Sequence, residues 1–315
     1  MKTTRQLLVL VCGVAAQVMA SSPALAQTYP SRPVRLVVPF PARVVGSHLQ
    51  EVLGQPFVVE NKPGAQGVIA AEAVVKSPPD GYTLFVTTNT AVAANVSLFK
   101  KLPYDPVKDF APVARIGTTP LVLMVKADFP AKNVPEFLAY VKSQPGKLSA
   151  GYGSSSSQVT IAMLRSLAQI DVVSVPYKGI PLAVTDVLSG NLAFTFVDLG
   201  NAMAQAKGGK LRALGVTANQ RTALAADWPA LAETVPGYDI TAWFAIMAPA
   251  GTPTDVVRKL HDSTVSGVVK SDVQAKLATI GITPAPMNPD ELGGFIKVEI
   301  AKWAKLVKDA GIEPE

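Results

Sequence analysis

A run of glycines and hydroxyls, Gly151-Tyr152-Gly153-Ser154-Ser155-Ser156-Ser157, ends one strand pattern and opens a helical pattern beginning near Gln158. Such a segment can hold an anion. The first N–H groups of a helix have no partner within it, the helix dipole is positive there, and serine hydroxyls both donate and accept. The same serines would also serve as caps in a solvated turn. A second polar cluster, Thr87-Thr88-Asn89-Thr90, ends the strand pattern that starts at Tyr82. Its side chains would either face the same cleft or form a plain turn, and Asn89 stands out because an amide donates and accepts. Lys178, in Tyr177-Lys178-Gly179, could bring a positive charge to a carboxylate or be a solvated surface residue. Asp198 follows the strand pattern over 192–197, where it would repel an anion unless it orients water or meets a hydroxyl or amine. The ligand candidates read from residue type are therefore Thr88, Asn89, Ser154, Ser155, Ser156, Lys178 and Asp198.

Other chemistries find little support. The Gly-x-Gly start at Gly151 is followed by no third glycine and no suitably placed acid, which argues against a dinucleotide. The serine run lacks a Gly-x-Ser-x-Gly elbow, and the two histidines, His48 and His261, have no recognisable place in a triad. Both histidines are expected on helix surfaces. No metal site, cofactor or catalytic residue is expected. Basic residues are scattered without stacking aromatics, so no nucleic-acid partner is expected either.

The elements that must position these groups alternate along the chain. Apolar, β-rich runs at 34–38, 57–60, 82–86, 121–125, 172–175, 192–197 and 211–216 are separated by helical patterns and by turns such as Lys62-Pro63-Gly64 and Pro79-Asp80-Gly81. Alternation of this kind implies an α/β fold with largely parallel sheets, in which ligands collect at strand C-termini. The first strand runs into Pro39-Phe40-Pro41-Ala42 and then directly into a helical pattern at Arg43. After an apolar strand at 241–248 the chain turns helical. Thr252-Pro253 is expected to start one helix, Ser271 with Gln274 to cap the next, and Asn288-Pro289 with Glu291 to open the last. That last helix carries Leu292, Phe295, Ile296, Trp303, Leu306 and Val307 on one face. A helical block of this kind needs a sheet to cover, and the first hundred residues supply one. The chain would then leave a first domain, build a second and return, giving two crossings and a hinged cleft.

At the N-terminus, Lys2 and Arg5 precede an apolar stretch and Ala24-Leu25-Ala26 fits a cleavage site, so residues 1–26 read as an export signal. Loss of Lys2 and Arg5 with it takes two charges from the net +6 and leaves +4 on the mature chain. The one cysteine, Cys12, leaves with the signal, so no disulfide is expected.

Several motifs carry a resemblance beyond these patterns. They are Val58-Val59-Glu60-Asn61-Lys62-Pro63-Gly64-Ala65, Pro79-Asp80-Gly81-Tyr82-Thr83-Leu84, Leu102-Pro103-Tyr104-Asp105-Pro106, Val175-Pro176-Tyr177-Lys178-Gly179, Gly209-Lys210-Leu211-Arg212-Ala213-Leu214 and Ala248-Pro249-Ala250-Gly251-Thr252-Pro253. In this order and spacing the chain resembles the extracytoplasmic receptors of tripartite tricarboxylate transporters, the Bug family. The resemblance implies a two-domain, type II-like periplasmic-binding-protein fold, with domain 1 at 27–122 and 246–315 and domain 2 at 123–245. It implies a monomeric periplasmic protein whose cleft closes on a small organic acid anion, delivered to two integral-membrane subunits. In that family the carboxylate is held largely by backbone groups and waters of the loop after the first strand. Carried onto this chain, that loop contributes Phe40, Pro41 and Ala42. Relative to the family pattern the loop lacks about eight residues, roughly two helical turns, including a Gly-Gly pair and an Asp. The shortening brings Arg43 near a helix start, where it could meet a carboxylate, and it raises a second reading: a non-transporting, signalling or vestigial relative.

Overall fold

The computed structural model describes residues 29–38 and 43–314, and of Arg43, Val44 and Val45 it describes the backbone alone. The export signal at 1–26, the loop residues Phe40, Pro41 and Ala42, and the Arg43 side chain lie outside the described residues. Every described strand and helix falls in the unit Arg32–Glu315. In chain order these are β1 (Val34–Val38), α1 (Arg43–Leu53), β2 (Phe57–Asn61), α2 (Val68–Val75), β3 (Thr83–Thr88), a π-helical turn (Thr90–Ala94) running into α3 (Asn95–Leu98), β4 (Phe110–Lys126) and α4 (Val134–Lys142). There follow β5 (Ser149–Tyr152), α5 (Ser155–Ala168), β6 (Val173–Pro176), α6 (Ile180–Ser189), β7 (Phe194–Asp198), α7 (Leu199–Lys207) and β8 (Leu211–Val216). The chain ends with β9 (Thr241–Pro249), α8 (Thr254–Val268), α9 (Ser271–Thr279), β10 (Thr283–Met287) and α10 (Pro289–Asp309).

The strands line up as β2-β1-β3-β9-β4-β7-β5-β6, with β8 and β10 also on β4. The expected parallel pairing holds within the βα units: β1 is parallel to β2 and β3, and β5 to β6 and β7. The expectation of largely parallel sheets fails at β4 and β9, all of whose pairings are antiparallel. A helical crossover returns the chain to the end it left and makes a parallel pair. Here β9 lies between β3 and β4 and runs against both, so β3 and β4 point the same way, while β5, β6 and β7 run against β4.

β4 organises the molecule. Phe110 to Pro120 pair with β9, whereas Leu121 to Val125 pair with β7 and Val122 to Lys126 with β8. Its side chains alternate between two cores, as a period of two requires. Leu121, Leu123 and Val125 join Phe137, Phe194, Phe196, Tyr238 and Trp243 on one face. Val122 and Met124 join Ala183, Val187, Leu199 and Val216 on the other. Where β4 changes partners, the fully buried Thr217 binds both crossings. Its Oγ1 accepts from Leu121 N at 2.8 Å and donates to Ile240 O at 2.6 Å. Its own N–H and C=O pair with Leu121 O and Ile240 N.

Helix starts follow the sequence in part. Asn288 and Glu291 form the expected reciprocal cap on α10. α8 instead begins at Thr254, with Pro253 before it, because Thr252 Oγ1 donates to Pro249 O and is spent on the preceding turn. α9 has Lys270 at its cap position and no side-chain cap, since Ser271 is already its first helical residue. On α10 the buried face is Leu292, Ile296, Glu299, Trp303 and Val307, with Phe295 and Leu306 half-buried at its edge. Glu299 is tolerated there because Trp243 Nε1 and Trp303 Nε1 both donate to its Oε2, at 2.8 and 3.1 Å. Neither histidine is a simple surface residue. His48 is buried with Nε2 3.3 Å from Ser263 O, and the half-buried His261 has Nδ1 3.2 Å from Val113 O.

Candidate functional site

The C-terminal ends of β3 and β5 meet, and the loop after β2 joins them. α5 begins at Ser155, three residues earlier than expected, because Ser154 and Ser157 cap each other. Ser154 Oγ accepts from Ser157 N at 3.2 Å, and Ser157 Oγ accepts from Ser154 N at 3.1 Å. Ser155, Ser156 and Ser157 therefore lie inside the first turn and are buried. Gly153 is required by contact, since a Cβ there would strike the backbone of Gly179 and Ile180. That approach sets the loop after β6 directly against the start of α5.

Asn89, fully buried beyond β3, donates from Nδ2 to Ser156 Oγ at 3.0 Å, and its Oδ1 accepts from Trp243 N at 3.4 Å. Thr90 Oγ1 lies 3.2 Å from the same Ser156 oxygen. Asn89 donates to Ser156 Oγ and either hydroxyl can donate in the Thr90–Ser156 pair, so the Ser156 proton is available to an incoming acceptor when Thr90 is the donor. Among the described residues nothing accepts from the backbone N–H of Ser155 or Ser156, as expected of the first positions in a helix. The result is a pole of neutral donors backed by the positive end of a 14-residue helix, an arrangement suited to one carboxylate.

Two further members were not singled out from sequence. Gln66 sits in a run of four left-handed residues, Gly64 to Gly67, in which Ala65 has φ 42° and Gln66 has φ 52°. For a residue with a Cβ that conformation costs about 1–3 kcal/mol and is found at sites where function requires it. Asn95, buried at the end of the π-helical turn, donates from Nδ2 to Gln66 O at 3.1 Å, which points its Oδ1 at Ser155. Ser155 Oγ donates to that oxygen at 2.7 Å and also touches the Gln66 side-chain amide. A serine has one proton, so the two amide oxygens, Asn95 Oδ1 and Gln66 Oε1, compete for it. The signals in sequence were faint: glycines on both sides of Gln66, and an asparagine inside the apolar run 91–98.

The remaining candidates lie apart from this cluster or serve local roles. Thr88 Oγ1 accepts from Thr90 N at 3.3 Å and shapes the turn. Ser154 caps α5. Lys178 is exposed and forms no ion pair among the described residues. Its neighbour Tyr177 donates to Asp186 Oδ2 at 2.5 Å, a bond that raises the phenol's pKa. Asp198 caps α7, accepting from Asn201 N at 3.0 Å and Asn201 Nδ2 at 2.6 Å. The geometry thus unites Asn89, Ser155 and Ser156 with Gln66, Thr90 and Asn95. It gives Lys178 and Asp198 no contact with them.

Comparison with known proteins adds an independent line. Residues 41–312 match the family described as "Tripartite tricarboxylate transporter family receptor". A curated relative, Protein BugT of Bordetella pertussis, is 34% identical over 325 aligned positions, covering 99% of each chain. Among solved structures, R. palustris Rpa4515 with adipate has a TM-score of 0.88 at 32% identity, covering 91% of this chain and all of that one. MatC from Rhodopseudomonas palustris, with bound malate, has a TM-score of 0.80 at 32% identity, covering 89% of this chain and all of that one.

Proposed function

Because the chain belongs to the tripartite tricarboxylate transporter receptor family, we propose that it captures a small organic carboxylate in the periplasm and presents it to two integral-membrane transporter subunits. The observation that carries this reading is the neutral donor pole at α5: free N–H groups of Ser155 and Ser156, and a Ser156 hydroxyl able to donate to an acceptor when Thr90 donates to it. A carboxylate oxygen placed there gains charge-assisted hydrogen bonds without a fixed counter-ion, which suits a ligand that must later be released. The two-lobed division, 27–122 with 246–315 against 123–245, is supported by the change of partners along β4 at 120–121 and by the return of the chain through β9. The β3 and β5 ends are already in contact through Asn89 and Ser156, so opening about the Thr217 junction would part them to admit or release the ligand.

No bond-making step is part of this reading. The serine protons are directed at amide oxygens or held for the ligand, and both histidines are occupied with carbonyls of Ser263 and Val113. No helix among the described residues is long and apolar enough to cross a membrane. The reading of a vestigial relative is not favoured, since the donor pole at α5 is assembled without the shortened loop.

Thermal unfolding of the mature protein against adipate, malate and a wider carboxylate panel tests the proposal. A ligand at one hundred times its Kd adds about 2.7 kcal/mol, or roughly 5–10 °C for a chain of this size. Binding of sugars or amino acids with no response to any acid would overturn it.

A further inference from the structure

Ser155 belongs to the second lobe, yet both acceptors of its hydroxyl belong to the first. Its Oγ, with no exposure to solvent, donates to Asn95 Oδ1 at 2.7 Å and meets Gln66 Oε1 in a second contact. Each acceptor is held in place. Asn95 is fully buried and donates from Nδ2 to Gln66 O at 3.1 Å, so a single amide joins the loop after β2 to the start of α5. Gln66 stands at φ 52°, ψ 37°, a conformation that strains a residue with a Cβ and leaves a glycine at ease. A glycine at 66 would serve the turn alone, so the side chain must answer to something beyond the turn, and its contact is with Ser155. One proton facing two oxygens keeps Ser155 hydrogen-bonded when either acceptor shifts slightly. The hydroxyl is thus engaged across the cleft, while among the described residues nothing accepts from the Ser155 backbone N–H.

We propose that Asn95 and Gln66 form a clasp on the Ser155 hydroxyl, which holds the cleft closed and sets how long a bound acid stays without touching the acid itself. Both are positioning residues. The inference rests on the two-lobed carboxylate reading and deepens it. Ser155 divides its groups between two tasks: the backbone N–H faces the carboxylate, and the hydroxyl fastens one lobe to the other. Opening parts the lobes and hands both amide oxygens to water. Without the hydroxyl, those oxygens have no donor in the closed form and water in the open one, so the penalty falls on closure alone. Release requires opening and is hastened, whereas capture by the open cleft is unchanged.

Stopped-flow association and release of adipate and malate, with wild type, Ser155→Ala, Gln66→Met and the double variant, provides the test. Ser155→Ala keeps the backbone N–H and should release an acid about tenfold faster, with association within about twofold of wild type. Gln66→Met keeps the length and the strained backbone but not the acceptor. It should speed release by about threefold, a smaller effect because Asn95 still takes the proton. The double variant should release no faster than Ser155→Ala, the non-additivity of groups that act through one contact. A residue that only supported the fold would show neither the split between release and association nor that coupling. Unchanged release from either single variant, a loss confined to association, or effects that multiply in the double variant would each overturn the clasp. Should Ser155→Ala not fold, Gln66→Met decides by itself, and release at the wild-type rate overturns the clasp. If wild type binds neither adipate, malate nor any other acid of the panel, the carboxylate reading falls and takes the clasp with it. If it binds one and the variants release that acid as wild type does, the clasp alone falls.

Discussion

Replacing Thr217 with valine removes one oxygen from the junction where β4 passes between its two sets of partners. The shape is nearly kept, but Leu121 N–H and Ile240 C=O lose the hydroxyl that served both, at 2.8 and 2.6 Å, in a position with no exposure to solvent. A buried donor left unpaired costs about 1–3 kcal/mol, and the carbonyl adds a smaller amount because it has a second lone pair. The new methyl recovers about 0.8 kcal/mol of apolar burial. The net loss is then about 1–3 kcal/mol, which for a chain of this size lowers Tm by roughly 2–12 °C. Urea unfolding followed by tryptophan fluorescence should show a lower midpoint with an unchanged slope. Thr217→Ser, which keeps the hydroxyl, should lose markedly less. If Thr217→Val unfolds at the wild-type midpoint, the junction is not held by this side chain and the account of how the two crossings are tied is wrong.

Ser156→Ala should weaken carboxylate binding by about tenfold, the loss of one hydrogen bond to a charged group, and should also lower the melting point of the ligand-free protein because the buried Asn89 Nδ2 loses its acceptor; equal affinity in a titration would remove Ser156 from the site. Glu299→Leu should destabilise by about 2–5 kcal/mol by leaving the buried Trp243 and Trp303 indole N–H groups without an acceptor, with a shift in tryptophan emission, and Glu299→Gln should retain most of the stability because its amide oxygen still accepts. Burial raises the Tyr104 phenol to about 12, partly countered by the neighbouring Asn95, and burial raises Tyr238 as well. Both groups are favoured as protonated donors in the fold, so their contribution is intact below pH 10; that of Tyr104 is lost as pH rises from 10 through about 12. For Tyr104 that amounts to about 3 kcal/mol. A Tyr104→Phe variant should be less sensitive to pH across that window in urea titrations, and an unchanged alkaline slope would count against the assignment.

Much of this architecture could be read from sequence, for physical reasons that also explain what could not. The apolar runs bounded by Gly and Pro turns marked most strands, because burial on both faces demands unbroken hydrophobicity. β4 was seen only over 121–125. Its first part carries Pro112, Gly117 and Pro120, which read as strand breakers; here Pro112 and Gly117 lie at bulges, where the ladder does not require every N–H, and Pro120 lies where β4 changes partners. The serine run and Asn89 were legible because clustered polar groups at a strand end have few other uses. Gln66 and Asn95 are single amides, and their importance depends on a left-handed turn and a π-helical turn that no composition reveals. His48 was misread because a helix position without an evident partner in sequence found one on α8, 215 residues away.

β4 is complete by Lys126, yet each of its partners, β7, β8, β9 and β10, lies further along the chain. Contacts of such wide sequence separation form slowly. A polypeptide emerging from its N-terminus would have β1 to β3 assembled early and still lack β9, the strand that links β3 to β4, until residue 249 had appeared. The order of strands therefore postpones folding until the chain is nearly finished. Chains ending before 241 should remain protease-sensitive and open, the state in which a polypeptide can still be threaded through a membrane pore.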